Sequence, residues 1–248
     1  GQASPRGSDE VDPGLLVFGN DRVRLVLPRA SFGYGIGYFQ RRTAGGWQTV
    51  AGMPRLSRLV VRREDGQPEE HLIYAGDVRE IDSPEAIAPE MLTRTLELTG
   101  SVTDGAGTEW TIVERVRLAP RSDEFALSLQ ATADQDADLL ALDGPMVYVG
   151  EGAPAGTRRL DAIFPGLEWL VEGEHSSSDL DIARDHDDYL RYVPHPHMVT
   201  IPVMTARIAP PQGDQTVATF RWDKLARYSG RLLYTSDAAA APLRVDLG

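Results

Sequence analysis

Short runs in which apolar and polar residues alternate recur along most of this chain, with turn residues between them. Residues 92–102 read LTRTLELTGSV and residues 110–118 read WTIVERVRL. Successive side chains of an extended strand point to opposite faces, so this alternation is typical of a strand with one buried face. We interpret the solvated face of these two runs as carrying five charged residues: Arg94, Glu97, Glu114, Arg115 and Arg117.

The same pattern predicts an all-β chain with little helix. Turns are predicted at Gly19-Asn20-Asp21, Glu64-Asp65-Gly66 and Thr103-Asp104-Gly105, where turn-forming residues cluster. No segment keeps a helical period for longer than about 12 residues. So many strands on short turns predict one large two-sheet antiparallel β-sandwich, a supersandwich. Further strands are predicted at residues 15–18, 23–27, 32–39, 47–50, 56–63, 70–81, 125–131, 139–149, 169–171, 198–208 and 217–222.

Composition excludes several classes of function. The chain has no cysteine, so disulfides and thiolate-bound zinc are excluded. The net charge is −12, and Lys224 is the single lysine. Nucleic acid and anionic membranes both require a basic surface, so neither is an expected partner. No apolar run approaches the roughly 20 residues that span a bilayer. A secreted or periplasmic location is favoured over a cytoplasmic one.

Three regions are predicted along the chain. Residues 1–13 are polar and rich in Gly, Pro and Ser, which is typical of a flexible tail. Residues 14–231 form the single β domain. Residues 232–248 begin with LLYTSDAA, which resembles a translation of transposon-adapter DNA, so this end is expected to be non-native or a linker. A further domain of the same protein is expected beyond it.

The segment 164–197 concentrates polar and aromatic residues, and long connections on a rigid scaffold tend to carry function. Glu168, Glu172 and Glu174 would share one face of a strand, and a pair of carboxyls could serve glycoside chemistry. Glu168 is the leading catalytic candidate because Leu167 and Trp169 flank it, and an apolar setting suits a general acid. The alternative is that these carboxylates are the polar rim of a loop.

Histidines and aspartates in the same segment allow a metal site. In an extended chain, His195 and His197 project from one face, which is a common ligand arrangement. With His175 they are also catalytic candidates. The acidic run could form a metal site together with His195 and His197, and its carboxylates suit calcium: Asp185, His186, Asp187 and Asp188. A stiff proline-bearing loop without metal remains the other interpretation, because Pro194 and Pro196 restrict the chain.

Aromatic rings in and near this segment are candidates for sugar stacking, since a flat ring offers a large contact area at low entropy cost. They are Trp169, Tyr189, Tyr192 and Trp222. Glu172, Arg184 and Arg191 are further candidates for substrate binding. The two arginines could contact an acidic sugar, or they could neutralise the neighbouring aspartates.

Three blocks of sequence resemble a known superfamily. They are residues 20–28 (NDRVRLVLP), 45–61 (GGWQTVAGMPRLSRLVV) and 139–170, with LLALDGPMVYVGEG and AIFPGLEWL. The blocks are similar to the large β-sandwich domains of the galactose-mutarotase-like superfamily, found at the N-terminus of glycoside hydrolases and polysaccharide lyases. The resemblance implies a sandwich that shapes a sugar cleft or binds carbohydrate. It also favours calcium over zinc, although no cofactor is required.

The resemblance does not extend to epimerase catalysis. Aldose epimerases carry a histidine in an Asn-His pair and a late glutamate, whereas this chain has no Asn-His pair and no glutamate after Glu174. The leading prediction is therefore an accessory or glycan-binding domain. One alternative is a hydrolase, lyase or isomerase that uses Glu168 and a nearby histidine. The other is a structural domain that packs on a missing partner domain.

Overall fold

The structure, a computed structural model, describes residues 14–82, 93–149, 158–165, 168–172, 174, 203–209, 215–222 and 243–246. The described elements are all β-strands, which confirms the all-β prediction. Every pairing between neighbouring strands is antiparallel. No helix in this part of the chain is long and apolar enough to cross a membrane.

Backbone hydrogen bonds link the strands into sheets of four, three and nine strands, and the nine-stranded sheet comprises two four-stranded units with one strand between them. The four resulting units are here called blades one to four. Blade one contains β1 (Leu15–Gly19), β2 (Val23–Pro28), β3 (Gly37–Thr43) and β4 (Gly46–Met53). Blade two contains β5 (Ser57–Arg62), β6 (Pro68–Ile73) and β11 (Leu139–Asp143). Blade three contains β7 (Asp77–Asp82), β8 (Arg94–Thr103), β9 (Glu109–Leu118) and β10 (Glu124–Ala133). Blade four contains β12 (Arg158–Phe164), β13 (Glu168–Val171), β14 (Val203–Ala209) and β15 (Thr216–Trp222).

The prediction of a two-sheet sandwich, or supersandwich, is wrong. The four blades are arranged in a ring, as in a four-bladed β-propeller. The strand β16 (Leu243–Asp246) pairs with both β10 and β15, and it thereby joins blades three and four into nine continuous strands. Alternation could not distinguish the two folds, because it fixes which face of a strand is buried and not which edges pair. The pairing of β11 with β5 is one such non-local choice.

Hydrogen bonds between blades join the sheets. Tyr34 and Ala75 exchange backbone hydrogen bonds between blades one and two, at 2.8 and 2.6 Å. The Glu69 carboxylate accepts a hydrogen bond from the backbone N–H of Gly105, between blades two and three. The Gln48 amide donates to the Thr216 hydroxyl, between blades one and four. The apolar faces of all four blades contribute to one buried core.

The predicted turns are confirmed, and side chains stabilise them. The Asn20 Oδ1 accepts from the backbone N–H groups of Arg22 and Val23, at 2.8 and 2.9 Å. Its amide group donates to the carbonyl of Ser122 in blade three. The Asp104 carboxylate accepts from two turn N–H groups and from the Trp110 indole Nε1–H, which is 2.9 Å away. These contacts satisfy backbone donors that the turns would otherwise leave unpaired.

The interpretation of Glu114 as part of the solvated face is wrong. Trp110, Ile112, Glu114, Val116 and Leu118 share one parity on β9, and all five are buried. The even-numbered positions therefore face the core, and the Glu114 side chain is wholly enclosed. Ile112 and Val116 lie two positions before and after Glu114. Counting alternate positions from these two apolar residues would have placed Glu114 on the buried face of the strand.

The run at residues 32–39 is only in part the strand that the alternation predicts. The strand begins at Gly37, and the chain before it approaches another backbone closely at Gly33. A Cβ on Gly33 would lie 2.2 Å from the carbonyl oxygen of Ala75, and the φ of Gly33 is +108°. Both facts require glycine at this position, because no other residue offers this space and conformation without strain.

Candidate functional site

Few of the predicted site residues fall in the described part of the chain. Glu168, Trp169 and Glu172 are described fully, and Trp222 as the last residue of β15. Among the described residues, no group of three or more His, Asp or Glu side chains could hold a metal ion. The other candidates lie outside the described residues: His175, Arg184, Asp185, His186, Asp187, Asp188, Tyr189, Arg191, Tyr192, His195 and His197.

Trp169 lies on the outward face of blade four, and 69% of it is exposed. It stands on β13, directly opposite Ile163 of β12, which is 46% exposed. The register continues to Thr205 on β14 and Thr219 on β15. The hydroxyl oxygens of the two threonines are 3.3 Å apart, within hydrogen-bonding distance. One row of residues across four strands thus combines an exposed indole, an aliphatic side chain and two threonine hydroxyls.

A second row lies beside the first on the same face. It runs from Val171 on β13 through Asp161 and Arg207 to Val217 on β15. The Arg207 guanidinium donates to the Asp161 carboxylate at 2.5 Å. Val171 and Val217, at the two ends of the row, are 43% and 44% exposed. We call the eight residues of the two rows the Trp169 face: Asp161, Ile163, Trp169, Val171, Thr205, Arg207, Val217 and Thr219.

On the opposite side of blade four, the strands β14 and β15 are buried, whereas β12 and β13 are half-buried. Ala206 and Ile208 of β14, with Ala218 and Phe220 of β15, pack into the core. Their alternation with exposed residues is the pattern of a sheet with one solvated face. The Trp169 face is consequently supported by core packing behind β14 and β15, and its side chains project from backbone held by ladder hydrogen bonds in all four strands.

The three glutamates do not form the strand face that the sequence suggested. Glu168 is half-buried opposite Phe164, on the other side of β13 from Trp169. The strand ends at Val171, and Glu172 is an exposed turn residue. The Glu174 carboxylate accepts from the backbone N–H of Val171 at 2.9 Å. Glu174 thus closes the turn, and Glu168 and Trp169 cannot act on one ligand from the same face.

No family model, curated protein or solved structure matches this chain. The resemblance to galactose-mutarotase-like domains therefore stays a prediction. The comparisons give no support either to the glycoside hydrolase assignment or to carbohydrate binding.

Glu114 is a second unusual group, and the sequence interpretation missed it as a buried acid. Both of its carboxylate oxygens are buried without a hydrogen-bond partner. Its register partners are Leu98 on β8 and Leu129 on β10. Burial raises the pKa of Glu114 to about 8, so the carboxyl is largely neutral at pH 7.

A perturbed carboxyl often marks a catalytic site, but a catalytic acid must also reach its substrate. Glu114 has no exposed surface. It is therefore placed to influence stability and not to meet a ligand from solvent. Among the described residues, the Trp169 face remains the best arranged for recognition, because it is exposed, supported from behind and chemically mixed.

Proposed function

We propose that this domain binds carbohydrate, without catalysis, through the Trp169 face. The observation that carries the proposal is the indole of Trp169, 69% exposed on a sheet face beside the Asp161–Arg207 pair. A tryptophan ring that is exposed to water on a rigid face loses the favourable free energy of burial. Contact with a ligand would recover it, because the transfer of apolar surface out of water is favourable. A carboxylate, a guanidinium and hydroxyls within the same patch favour a partner that is apolar and polar at once.

A pyranose ring has this mixed character. Its axial C–H groups form an apolar patch that can lie flat on an indole, and its equatorial hydroxyls point outward as donors and acceptors. The Asp161 carboxylate accepts hydrogen bonds, and the Arg207 guanidinium donates them in a fork that fits adjacent hydroxyls. Because the two side chains already pair, they are held in position before a ligand arrives, which lowers the entropy cost of binding.

The shape of the face favours a glycan chain over a single sugar. The two rows span four strands, and neighbouring strands are about 4.8 Å apart, so the surface extends over roughly 14 Å. Small ligands usually bind in concave pockets that bury most of their surface. A flat surface gains affinity instead from several successive contacts along an extended ligand. The ends of the face, Trp169 and Val217, supply apolar contacts for different units of such a chain.

A non-catalytic role is favoured over the enzyme alternative. Glycoside chemistry needs two carboxyls that flank one bond, separated by roughly 5–9.5 Å. On the Trp169 face, Asp161 is the single carboxylate among the described residues, and it is neutralised by Arg207. Glu168 lies on the other side of β13. The face thus has the chemistry for holding a glycan and lacks the pair needed to cleave it.

The test is the binding of the full chain to a panel of cellulose, chitin, xylan and mannan, measured as retention in affinity gels and by calorimetry with soluble oligomers. Trp169→Ala should reduce affinity at least about tenfold, which corresponds to 1.4 kcal/mol. The matched control is Tyr148→Ala, which removes a 48% exposed aromatic residue elsewhere. Tyr148→Ala should bind like the parent protein.

Two results would overturn the proposal. The first is the absence of binding to every glycan by folded parent protein. The second is binding that Trp169→Ala leaves unchanged. If instead Trp169→Ala abolished self-association or capture of a separately expressed domain, the structural alternative would replace carbohydrate binding.

A further inference from the structure

Blade one differs in charge from the rest of the chain. Residues 15–53, which contain its four strands, include five arginines and a single acid, Asp21, whereas the whole chain has a net charge of −12. The arginines are Arg22, Arg24, Arg29, Arg41 and Arg42. A positive region on a negatively charged protein attracts anionic ligands to that region and not to the remaining surface.

Two of these arginines lie over one indole ring. Arg42 of β3 is the register partner of Trp47 on β4, and its guanidinium is 5.3 Å from the centroid of the Trp47 ring. The guanidinium of Arg24 on β2 is 4.3 Å from the same centroid. The ring attracts each cation, but the two charges are within about 10 Å of each other and repel. An anion beside them would relieve this repulsion.

Arg24 is held in place by its neighbours on the sheet. Its Nε–H donates to the Gln40 Oε1 at 2.7 Å, and the Gln40 amide donates in turn to the Thr49 hydroxyl at 3.1 Å. These three residues form one register row across β2, β3 and β4. The row lies on the side of blade one away from the core, because an adjacent residue on each strand is buried: Leu25, Phe39 and Val50.

Arg42 is exposed and forms no ion pair with any residue that the structure describes. An exposed arginine on blade two, Arg63, lies instead 3.1 Å from the carboxylate of Asp65. The contact with Trp47 positions the Arg42 guanidinium, but a ring face does not accept its N–H donors as a carboxylate does. Arg42 is therefore oriented by the blade and accessible to an acceptor from outside the chain.

We propose that the glycan bound by this domain is acidic, and that Arg42, supported by Trp47 and Arg24, contacts its carboxylate or sulfate groups. This inference rests on the proposed function and names the class of carbohydrate. The guanidinium fork makes paired, charge-assisted hydrogen bonds to such oxyanions. Because Trp47 already orients the Arg42 side chain, less conformational entropy is lost when an anion binds.

The junction between blades one and four relates this site to the Trp169 face. The hydrogen bond from the Gln48 amide to the Thr216 hydroxyl joins β4 to β15. Gln48 directly follows Trp47 in the chain, and Thr216 directly precedes Val217 at the end of the Trp169 face. The two sites thus flank one contact between blades, within reach of a single polymer chain. An acidic glycan combines the anionic groups that Arg42 recognises with the rings and hydroxyls that suit the Trp169 face.

The test is the binding of the full chain to polygalacturonate and to dextran sulfate, measured by calorimetry at low salt. Each polymer has an uncharged counterpart with the same backbone, namely fully methyl-esterified polygalacturonate and dextran. At least one acidic polymer should bind at least about tenfold more tightly than its counterpart, and the one that does so distinguishes carboxylate from sulfate recognition. Its affinity should fall as sodium chloride is added, because salt screens surface charges.

Three variants test the role of Arg42, and circular dichroism confirms that each is folded. Arg42→Gln should weaken binding of the preferred acidic polymer at least about fivefold and leave binding of its uncharged counterpart unchanged. Arg42→Lys keeps the charge without the fork and should weaken binding less than Arg42→Gln. The matched control is Arg63→Gln, which removes an exposed arginine paired with Asp65 and should bind like the parent protein.

Equal binding of acidic polymers and their uncharged counterparts, or binding that Arg42→Gln leaves unchanged, would overturn the assignment to acidic glycans. If such binding is still lost in Trp169→Ala, the proposed function stands and only its extension to acidic glycans fails. Acidic-polymer binding that requires Arg42 and not Trp169 would support the site on blade one and overturn the role of the Trp169 face. Equally tight, Arg42-dependent binding of polyglutamate or RNA would overturn the choice of a glycan.

Discussion

Glu97 and Glu114 lie on neighbouring strands, one register step apart, and they face opposite sides of blade three. Glu97 of β8 is paired with Arg115, and Glu114 of β9 with Leu98. Glu97 is 3% exposed and accepts hydrogen bonds from both Arg79 and Arg115, whereas Glu114 is enclosed in the core without any partner. The pKa values of these two buried carboxyls on neighbouring strands are therefore shifted in opposite directions, lowered for Glu97 and raised for Glu114.

We predict that Glu114 destabilises the fold as the pH rises. Burial raises its folded-state pKa to about 8, against 4.5 in the unfolded chain. The free energy of unfolding is therefore unaffected by Glu114 ionisation below about pH 4.5. It declines as the pH rises and reaches its minimum above about pH 8. At 1.36 kcal/mol per pKa unit the total loss is roughly 5 kcal/mol.

Glu114→Met, which keeps length and removes the charge, should abolish this decline. Urea unfolding at pH 5, 7 and 9 measures the free energy of unfolding of the parent and the variant. The variant should exceed the parent at pH 9 by more than at pH 5 or pH 7. Glu109→Met, on the exposed end of the same strand, is the control and should show no such pH-dependent gain. An equal slope in parent and Glu114→Met would show that Glu114 is not buried as described.

Glu97 is expected to show the reverse dependence. Burial alone would raise its pKa, but the hydrogen bond from Arg79 and the charges of Arg115 and Arg79 outweigh burial, and the pKa of Glu97 is lowered. Its contribution is present above the unfolded value near 4.5 and is lost as the pH falls below it. Glu97→Gln should therefore cost about 1–3 kcal/mol at pH 7, as expected for hydrogen bonds to a charged group.

The cost of Glu97→Gln should shrink as the pH falls towards 3, because the parent protein then loses the same charge. Urea unfolding across this range measures the difference, and Glu64→Gln in an exposed turn is the control. A cost that stays constant from pH 7 to pH 3 would contradict the ionised pairing.

Gly100 of β8 is predicted to tolerate no side chain. A Cβ at this position would lie 2.4 Å from the carbonyl oxygen of Tyr74, which is backbone and cannot rotate away. Gly100→Ala should lower the free energy of unfolding by about 1–3 kcal/mol, the usual cost of overpacking. Gly76→Ala is the matched control, because nothing lies within 4 Å of its added Cβ. Thermal unfolding that ranks the two variants equally would contradict the close packing of β8 on the chain at Tyr74.

The sequence was sufficient for the local structure and insufficient for the arrangement of the sheets. The turn at Asp104 could be predicted because its residues act locally, and the strand β9 because its alternation is clean. The pairing of β16 between β10 and β15 joins segments far apart in the chain, and no local pattern records it. The ring of four sheets was consequently missed.

The same contrast between local and non-local information applies to the candidate site. Trp169 could be proposed from its residue type alone, since a flat ring near polar residues suits a sugar. Asp161, Thr205 and Arg207 could not be predicted as its neighbours. They lie on other strands, and only the pairing of those strands with β13 brings them onto the same face as Trp169. Glu114 is the opposite case: the parity of β9 was present in the sequence and would have placed it in the core.

The most direct test is an NMR titration in which an oligosaccharide that the protein binds is added to 15N-labelled protein. The indole N–H signals of the protein's four tryptophans report the binding. Trp169→Phe identifies the signal of Trp169. We predict that this signal shifts saturably, while that of Trp110, whose indole N–H is bonded to Asp104 in the core, stays in place. A Trp169 signal that stays unmoved by every glycan, or glycan binding that shifts only other tryptophans, would contradict the account.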